Sequence, residues 1–246
     1  MIAFFEVAIG DGGVAGCSEC GRVARAPRPA EDVVAELQDL AARRTAPGCD
    51  GIGFTGFEPF AHPALPQLIN TAVSLGFDRI RLRTDAGALA SGGNARGVLD
   101  AGVRHLEVVL LGDEATHDRL TACPGLHAAA SGGATSFLAA ARQAGPAAGA
   151  NVVLTGYVPI CRHNAAFAPA AVAHLAALGA VAVQVDASAA GQKLRDAVLA
   201  ALETAAVNGI AGFVTGLGDD PAVDATRAAV PSPQTRVPWT ASRSVS

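Results

Sequence analysis

Two cysteines, Cys17 and Cys20, form a CxxC inside the glycine-rich stretch GDGGVAGCSECGR (10–22), directly after the apolar run MIAFFEVAI. A thiolate pair at that spacing reads as half a zinc knuckle, a redox pair, two unengaged loop thiols, or part of a cluster site; no second CxxC completes it. Glu58, in GFTGFEPFAHPALPQLI (53–69), follows another apolar segment, and a carboxylate so placed accepts hydrogen bonds from an amine. Gly56, two residues earlier, lets backbone approach a ligand closely. Thr84 and Asp85 in LRTDAG (82–87), His117 and Asp118 in HDRLTACPG (117–125), and Cys161 to Asn164 in YVPICRHN (157–164) also end apolar runs. Each has a structural reading beside the chemical one. Glu58 faces the dipole of a following helix, His62 packs in its turn, and His117-Asp118 caps a short helix. Cys123 and Cys161 serve as small hydrophobes, or as thiols reaching Cys17 to build a nonstandard cluster or a tetrahedral zinc site, with Asp11 nearby.

The hydrophobic period alternates along the chain and names the elements that carry these residues. Strands are expected at 2–9, 51–56, 78–84, 104–112, 150–160, 180–187 and, as a last strand, 210–217. Helical spacing occupies 30–44, with Val33, Val34, Leu37 and Leu40 on one face, and 64–76, 94–102, 131–148, 169–179 and 191–209. Six or seven strands alternating with helices make βα units and a parallel sheet, because parallel strands need crossovers. The count suits a partial barrel or a doubly wound sheet. In either, functional residues gather on loops after the C-terminal ends of the strands. That rule places 10–22, 56–63, 84–87, 112–125 and 161–164 on one working face and Cys49 on the other. Residues 1–218 are expected to form the barrel-like unit. From Asp219 the chain turns Pro- and Ser-rich, an extended or disordered tail over 219–246.

Composition excludes several classes. The formal charge is −4 with no basic run, which argues against nucleic acid and against a polybasic membrane patch. No apolar segment approaches the roughly 18 residues that span a bilayer, and MIAFFEVAI is short for a signal-peptide core and lacks a basic start. The chain is therefore expected to be cytoplasmic. Five cysteines, an odd number, fit reduced thiols better than a disulfide framework. Local signatures of a Ser/His/Asp triad, a GxxxxGK[ST] phosphate loop and HExxH are missing. A Schiff-base lyase or aldolase finds no candidate either, since the single lysine, Lys193, falls in the last expected helix.

Taken in order, the CxxC loop, GFEPFAHPALPQLI, LRTDAG, HDRLTACPG and YVPICRHN resemble the radical S-adenosylmethionine (radical SAM) superfamily. Its members commonly carry a CxxxCxxC loop after the first strand and a Gly-Gly-Glu-Pro motif on the second. A Thr-Asn-Gly strand end, a His-Asp-x-x-Thr-Gly stretch and an Asn after strand five follow. The resemblance spans about residues 2–217 and implies a partial (βα)6 TIM-like barrel of parallel strands with outer helices. It also implies a [4Fe–4S] cluster and S-adenosylmethionine as cofactors. Cys17 and Cys20 match the last two cluster ligands. Gly56, Phe57 and Glu58 match the segment that holds the methionyl amine, and Thr84 matches the Thr-Asn-Gly strand end.

The departures shape the functional expectation. Gly13 stands where the first cluster cysteine would be and offers no ligand. Phe57 replaces the second motif glycine, and its ring is the size to fill the methionine site. Asp85 replaces the asparagine, with Ala86 inserted before Gly87. Three thiolates hold the cluster in this family, and two leave iron short of ligands. Without a reduced cluster no electron cleaves the sulfonium, and no 5′-deoxyadenosyl radical forms. The expectation is a degenerate member, noncatalytic by itself, pairing as a heterodimer with an active radical SAM paralogue or presenting a peptide or small-molecule substrate. The alternative is an active enzyme with an atypical iron–sulfur ligand set that modifies a peptide or small metabolite.

Overall fold

A computed structural model of the chain describes residues 4–14, 26–44, 51–145, 152–187 and 194–215. Seven strands, β1 (Phe4–Ala8), β2 (Gly51–Thr55), β3 (Arg79–Thr84), β4 (Val103–Val109), β5 (Val153–Pro159), β6 (Ala182–Asp186) and β7 (Ala211–Thr215), form one sheet in sequential order. Every pairing is parallel. Each crossover therefore steps one strand in the same direction, which puts all the helices on one side and curls the sheet into a half-barrel. A doubly wound sheet would reverse its strand order part-way, and this one does not. The partial barrel expected from the sequence is thus the observed fold, with a seventh strand.

The helices are α1 (Ala30–Ala42), α2 (Leu65–Ser74), α3 (Gly92–Asp100), α4 (Glu114–Thr121), α5 (Leu126–Gln143), α6 (Ala168–Ala177) and α7 (Arg195–Val207). In α1 the expected stripe is the buried face: Val33 and Leu37 are fully covered, and Val34 and Leu40 pack beside them. Two places differ from the sequence pattern. The helix expected at 131–148 begins earlier, at Leu126, because Asp118 accepts the Gly125 and His127 backbone N–H groups and caps it. The short helix before it is capped by Asp113, whose Oδ1 accepts Thr116 N–H at 2.9 Å, and not by His117-Asp118. Such a cap is worth about 1 kcal/mol.

Strand alternation divides the sheet into two chemically distinct faces. Val7, Ile9, Ile52, Phe54, Ile80, Leu82, Leu106 and Val108 point to the helices and join Leu37, Leu68, Phe137 and Leu175 in one apolar core. The intervening residues line the concave side, and many of them are polar. Glu6 on β1, Arg81 and Arg83 on β3, Glu107 on β4, Tyr157 on β5 and Asp186 on β6 all belong to this set.

No helix among the described residues is long and apolar enough to cross a membrane. The Pro- and Ser-rich segment from Asp219, Cys49 and Lys193 lie outside the described residues.

Candidate functional site

The strand-end rule brings Gly56, Phe57, Glu58, Thr84 and Asp85 to the C-terminal ends of β2 and β3. Gly56 has φ +80, a left-handed conformation, and a Cβ there would come within 2.7 Å of the Gly10 carbonyl oxygen. Glycine is therefore required both by backbone angle and by the closeness of the β1 end. Gly10 in turn lies against Phe57, whose Cβ would be 2.7 Å from any Cβ at position 10. The Phe57 ring meets the His62 ring edge to face at 6.4 Å. His62 is itself a structural bridge: Nδ1 accepts Ala64 N–H, so Nε2 carries the proton and donates to the Arg28 carbonyl at 3.0 Å.

Glu58 is the centre of this site. Its Oε1 accepts the Thr84 hydroxyl at 2.7 Å and Phe60 N–H at 3.2 Å, and Oε2 accepts Asp85 N–H at 2.9 Å. It caps the short 3-10 turn Pro59–Ala61 and also ties the ends of β2 and β3 together. Burial of the carboxyl, reinforced by the Asp85 charge, raises its pKa to about 8 against these hydrogen bonds. Asp85 is shifted up as well, again first by burial. Thr84 is fully buried and its Oγ1 also accepts Ala86 N–H at 2.9 Å. Ala86 is left-handed, φ 59, a conformation that costs a non-glycine residue about 1 kcal/mol. Its turn is held by Asp85 Oδ1, which accepts Gly87 N–H at 2.8 Å, and by Gly133 of α5, which packs directly on the Ala86 carbonyl.

Beside this site the β1 end is held by a short antiparallel pair. Gly10 bridges Pro27, Asp11 N–H donates to Ala26 O at 3.1 Å, and Arg28 N–H donates to Ile9 O at 2.9 Å. Cys17 and Cys20, between these anchors, lie outside the described residues. Val14, just before them, packs in a small apolar cluster with Val109, Leu111, Leu120 and Cys161. Cys161 is buried there and Cys123 is exposed. Among the described residues no group of three or more His, Cys, Asp or Glu side chains is arranged to hold a metal ion. After β5, Asn164 is fully buried and closes its own loop: Oδ1 accepts Cys161 N–H and Nδ2 donates to Pro159 O, both at 2.7 Å. Arg162 donates through Nε to His163 Nε2 at 2.8 Å.

Two polar groupings escape a reading of motifs. The first is the concave-face network. Arg81 pairs with Glu6 and Glu107, and Arg83 Nε donates to Glu107 Oε2 at 2.5 Å. Arg83 lies 3.8 Å over the Tyr157 ring, whose hydroxyl donates to Asp186. Gly53 on β2 clears the path, since a Cβ there would meet Arg81 Nη2 at 2.7 Å. The signal was present: arginine at every second position of β3, Arg79, Arg81 and Arg83, marks a strand with one polar face. The second is a row of imidazoles. His117 and His127 meet edge to face at 5.7 Å, and His127 and His174 stack at 4.5 Å. His117 Nδ1 accepts Leu111 N–H at 3.1 Å, and burial lowers its pKa to about 4. The three come from α4, α5 and α6, so no sequence spacing announces them.

No protein-family model matches the chain, and a search among curated proteins finds no match. Solved structures do match. Streptococcus suis SuiB bound to S-adenosylmethionine superposes with a TM-score of 0.61 at 13% identity, covering 87% of this chain and 51% of that one. SuiB bound to its precursor peptide SuiA gives 0.57 at 12%, over 88% and 50%, and SuiB alone gives 0.60 at 12%, over 87% and 49%. At this identity the likeness is one of fold. The chain spans about half the length of these structures.

Proposed function

We propose that this chain is a radical SAM-like protein whose β2–β3 strand-end site receives S-adenosylmethionine and which acts as the noncatalytic partner of an active radical SAM protein. The observation that carries the reading is the Glu58 carboxylate, anchored by Thr84 and Asp85 at the ends of adjacent strands of a sequentially ordered half-barrel. The fold likeness to a protein solved with S-adenosylmethionine supports it. Gly56, Phe57, Glu58 and Thr84 are the residues assigned to the methionyl end. The edge-to-face packing of Phe57 on His62 holds the ring at the rim of that site.

Cys17 and Cys20 are the proposed metal ligands. A [4Fe–4S] cluster with S-adenosylmethionine would supply reductive cleavage of the sulfonium, and the residues here do not complete its thiolate set: position 13 is glycine. Partnership with a subunit carrying an intact loop, within a reducing cytoplasm, follows from that shortage. A peptide is the favoured substrate class, supported by the matching structure that holds a precursor peptide. Anaerobic purification with iron and sulfide determination tests the reading. Substoichiometric iron and no 5′-deoxyadenosine from the chain alone are expected; a full four-iron cluster with turnover would overturn it.

One observation favours a second reading, an active enzyme with an atypical ligand set. Cys161 is buried in the cluster that also contains Val14, three residues before Cys17. If Cys161 completes the set, Cys161→Ala abolishes iron binding along with Cys17→Ala and Cys20→Ala; iron retention in all three would reject this reading.

A further inference from the structure

His62 joins the turn that presents Glu58 to the two places where the segment after β1 is anchored. That turn is a single 3-10 winding with Glu58 at its N-cap and His62 at its C-cap. Ala61 N–H donates to Glu58 O and His62 N–H to Pro59 O, both at 3.0 Å. Pro59 opens the winding and Pro63 stops it, holding His62 extended at φ −80 and ψ 118. Few backbone torsions are left between Glu58 and His62 to absorb a displacement of either. His62 is 4% exposed, and both ring nitrogens are engaged. Nδ1 serves Ala64 N–H inside the turn, and Nε2–H reaches back 34 positions to the Arg28 carbonyl.

The Arg28 peptide is gripped from the other side as well. Its N–H donates to Ile9 O at 2.9 Å, and its guanidinium donates to Ala8 O at 2.6 Å and to Glu36 Oε2 at 2.7 Å. Pro27 bridges Gly10, and Asp11 N–H donates to Ala26 O at 3.1 Å. Phe57, edge to face with His62, lies against Gly10. The Glu58 turn therefore meets one anchor, Ile9–Asp11, through Phe57 and the other, Ala26–Arg28, through His62.

We infer that His62 is a positioning residue that couples occupancy of the Glu58 site to the ordering of these two anchors, through its Nε2–H bond to Arg28 O. A ligand held by Glu58 fixes the turn, the turn fixes the imidazole, and the imidazole fixes the Arg28 peptide. By linkage, ordered anchors favour the ligand to the same extent. The coupling rests on the strand-end site being the receptor for the methionyl end of S-adenosylmethionine.

Hydrogen exchange on the full chain, with and without saturating S-adenosylmethionine, reads the Arg28 and Asp11 amides directly. In the wild-type protein the ligand is expected to slow both about fivefold or more. Two variants separate the ring nitrogens. His62→Gln sets an amide nitrogen near the place of Nε2 and keeps the bond to Arg28 O. His62→Asn sets its amide near the place of Nδ1 and keeps the Ala64 bond alone. The glutamine variant is expected to retain the ligand-induced slowing, and the asparagine variant to lose it while still binding S-adenosylmethionine. A histidine that only braces its own turn would give the reverse order, which overturns the inference. So does wild-type protein that binds S-adenosylmethionine without slowing the two amides, a result that needs no variant to fold. Failure of S-adenosylmethionine to bind the wild type overturns the cofactor reading and the coupling with it, while ligand-free exchange of the Arg28 amide in the two variants still decides whether Nε2 holds that anchor.

Discussion

The Thr84 hydroxyl donates to Glu58 Oε1 at 2.7 Å and accepts Ala86 N–H at 2.9 Å, so one buried side chain joins the end of β3 to the end of β2 and to its own turn. Replacing it with the isosteric valine removes both bonds and strands a buried N–H. Thr84→Val is expected to cost about 2 kcal/mol in urea unfolding, and Thr84→Ser much less. The Thr84 bond holds the Glu58 pKa down, so Thr84→Val also moves the Glu58 midpoint above its value of about 8. Carboxyl NMR of the variant checks this, and a lower midpoint would contradict it.

Adjacent glycines of α5 are expected to respond oppositely to alanine. At Gly133 a methyl group would collide with the Ala86 carbonyl, which is backbone and cannot swing away. Gly133→Ala should therefore cost about 1–3 kcal/mol and disturb the Thr84–Asp85 turn. At Gly132 the nearest atom, the Ala90 Cβ, is 3.7 Å away, an ordinary contact. Gly132→Ala should be neutral or stabilise by up to about 1 kcal/mol through helix propensity. Thermal unfolding of the two variants side by side tests the pair.

Glu107 answers two arginines on the concave face. It is 3% exposed, and Arg81 and Arg83 are 9% and 15% exposed. Glu107→Gln leaves Arg83 without its carboxylate in a poorly solvated wall, while Arg81 keeps Glu6, and a loss of about 3 kcal/mol is expected. Because the pairs are shielded from water, 0.5 M salt should change the wild-type stability little. A variant within about 0.5 kcal/mol of wild type would show that the network contributes no stability.

The pH dependence has opposing arms. Burial lowers His117 from 6.5 to about 4, and burial with the Arg81 charge lowers His105 from 6.5 to about 3. Below 6.5 the unfolded chain takes up protons that the folded chain refuses, so acid removes stability. For His117 the two values integrate to about 3 kcal/mol. Glu58 runs the other way: unfolded it ionises near 4.5, folded it keeps its proton to about 8, so stability falls as pH rises through that interval. The lowered histidines, His174 among them, outweigh the Glu58 carboxyl below 6.5, and the raised Glu58 sets the slope above it. The urea midpoint is expected to peak near pH 6.5, with the alkaline arm reduced in Asp85→Asn. A profile flat from pH 5 to 8 would contradict both assignments.

Much of this molecule was legible in one dimension. Alternation of period located all seven strands to within about three residues, because strands buried on a helix-covered face read as apolar runs. The strand-end rule then put Glu58, Thr84 and Asp85 on a common face before any coordinates. The helix α5 began earlier than its hydrophobic pattern because its cap, Asp118, sits seven residues before Gly125 and acts through space. Asn164 was visible only as a residue after strand five, and its two loop-closing bonds were not.

The sequence alone determined the alternating elements, the glycine at 13 and the carboxylates at 58 and 85, since these depend on residue identity and local period. Tertiary structure decided that the sheet runs in sequential order as a half-barrel, that Arg81 reaches across Gly53 to Glu6, and that His117, His127 and His174 pack in a row. It also decided that the Asp85 backbone N–H donates to Glu58 Oε2. The reason is register: parallel neighbours are set by strand order and stagger, and a contact between residues 27 apart exists only once both strand ends are fixed at the same height.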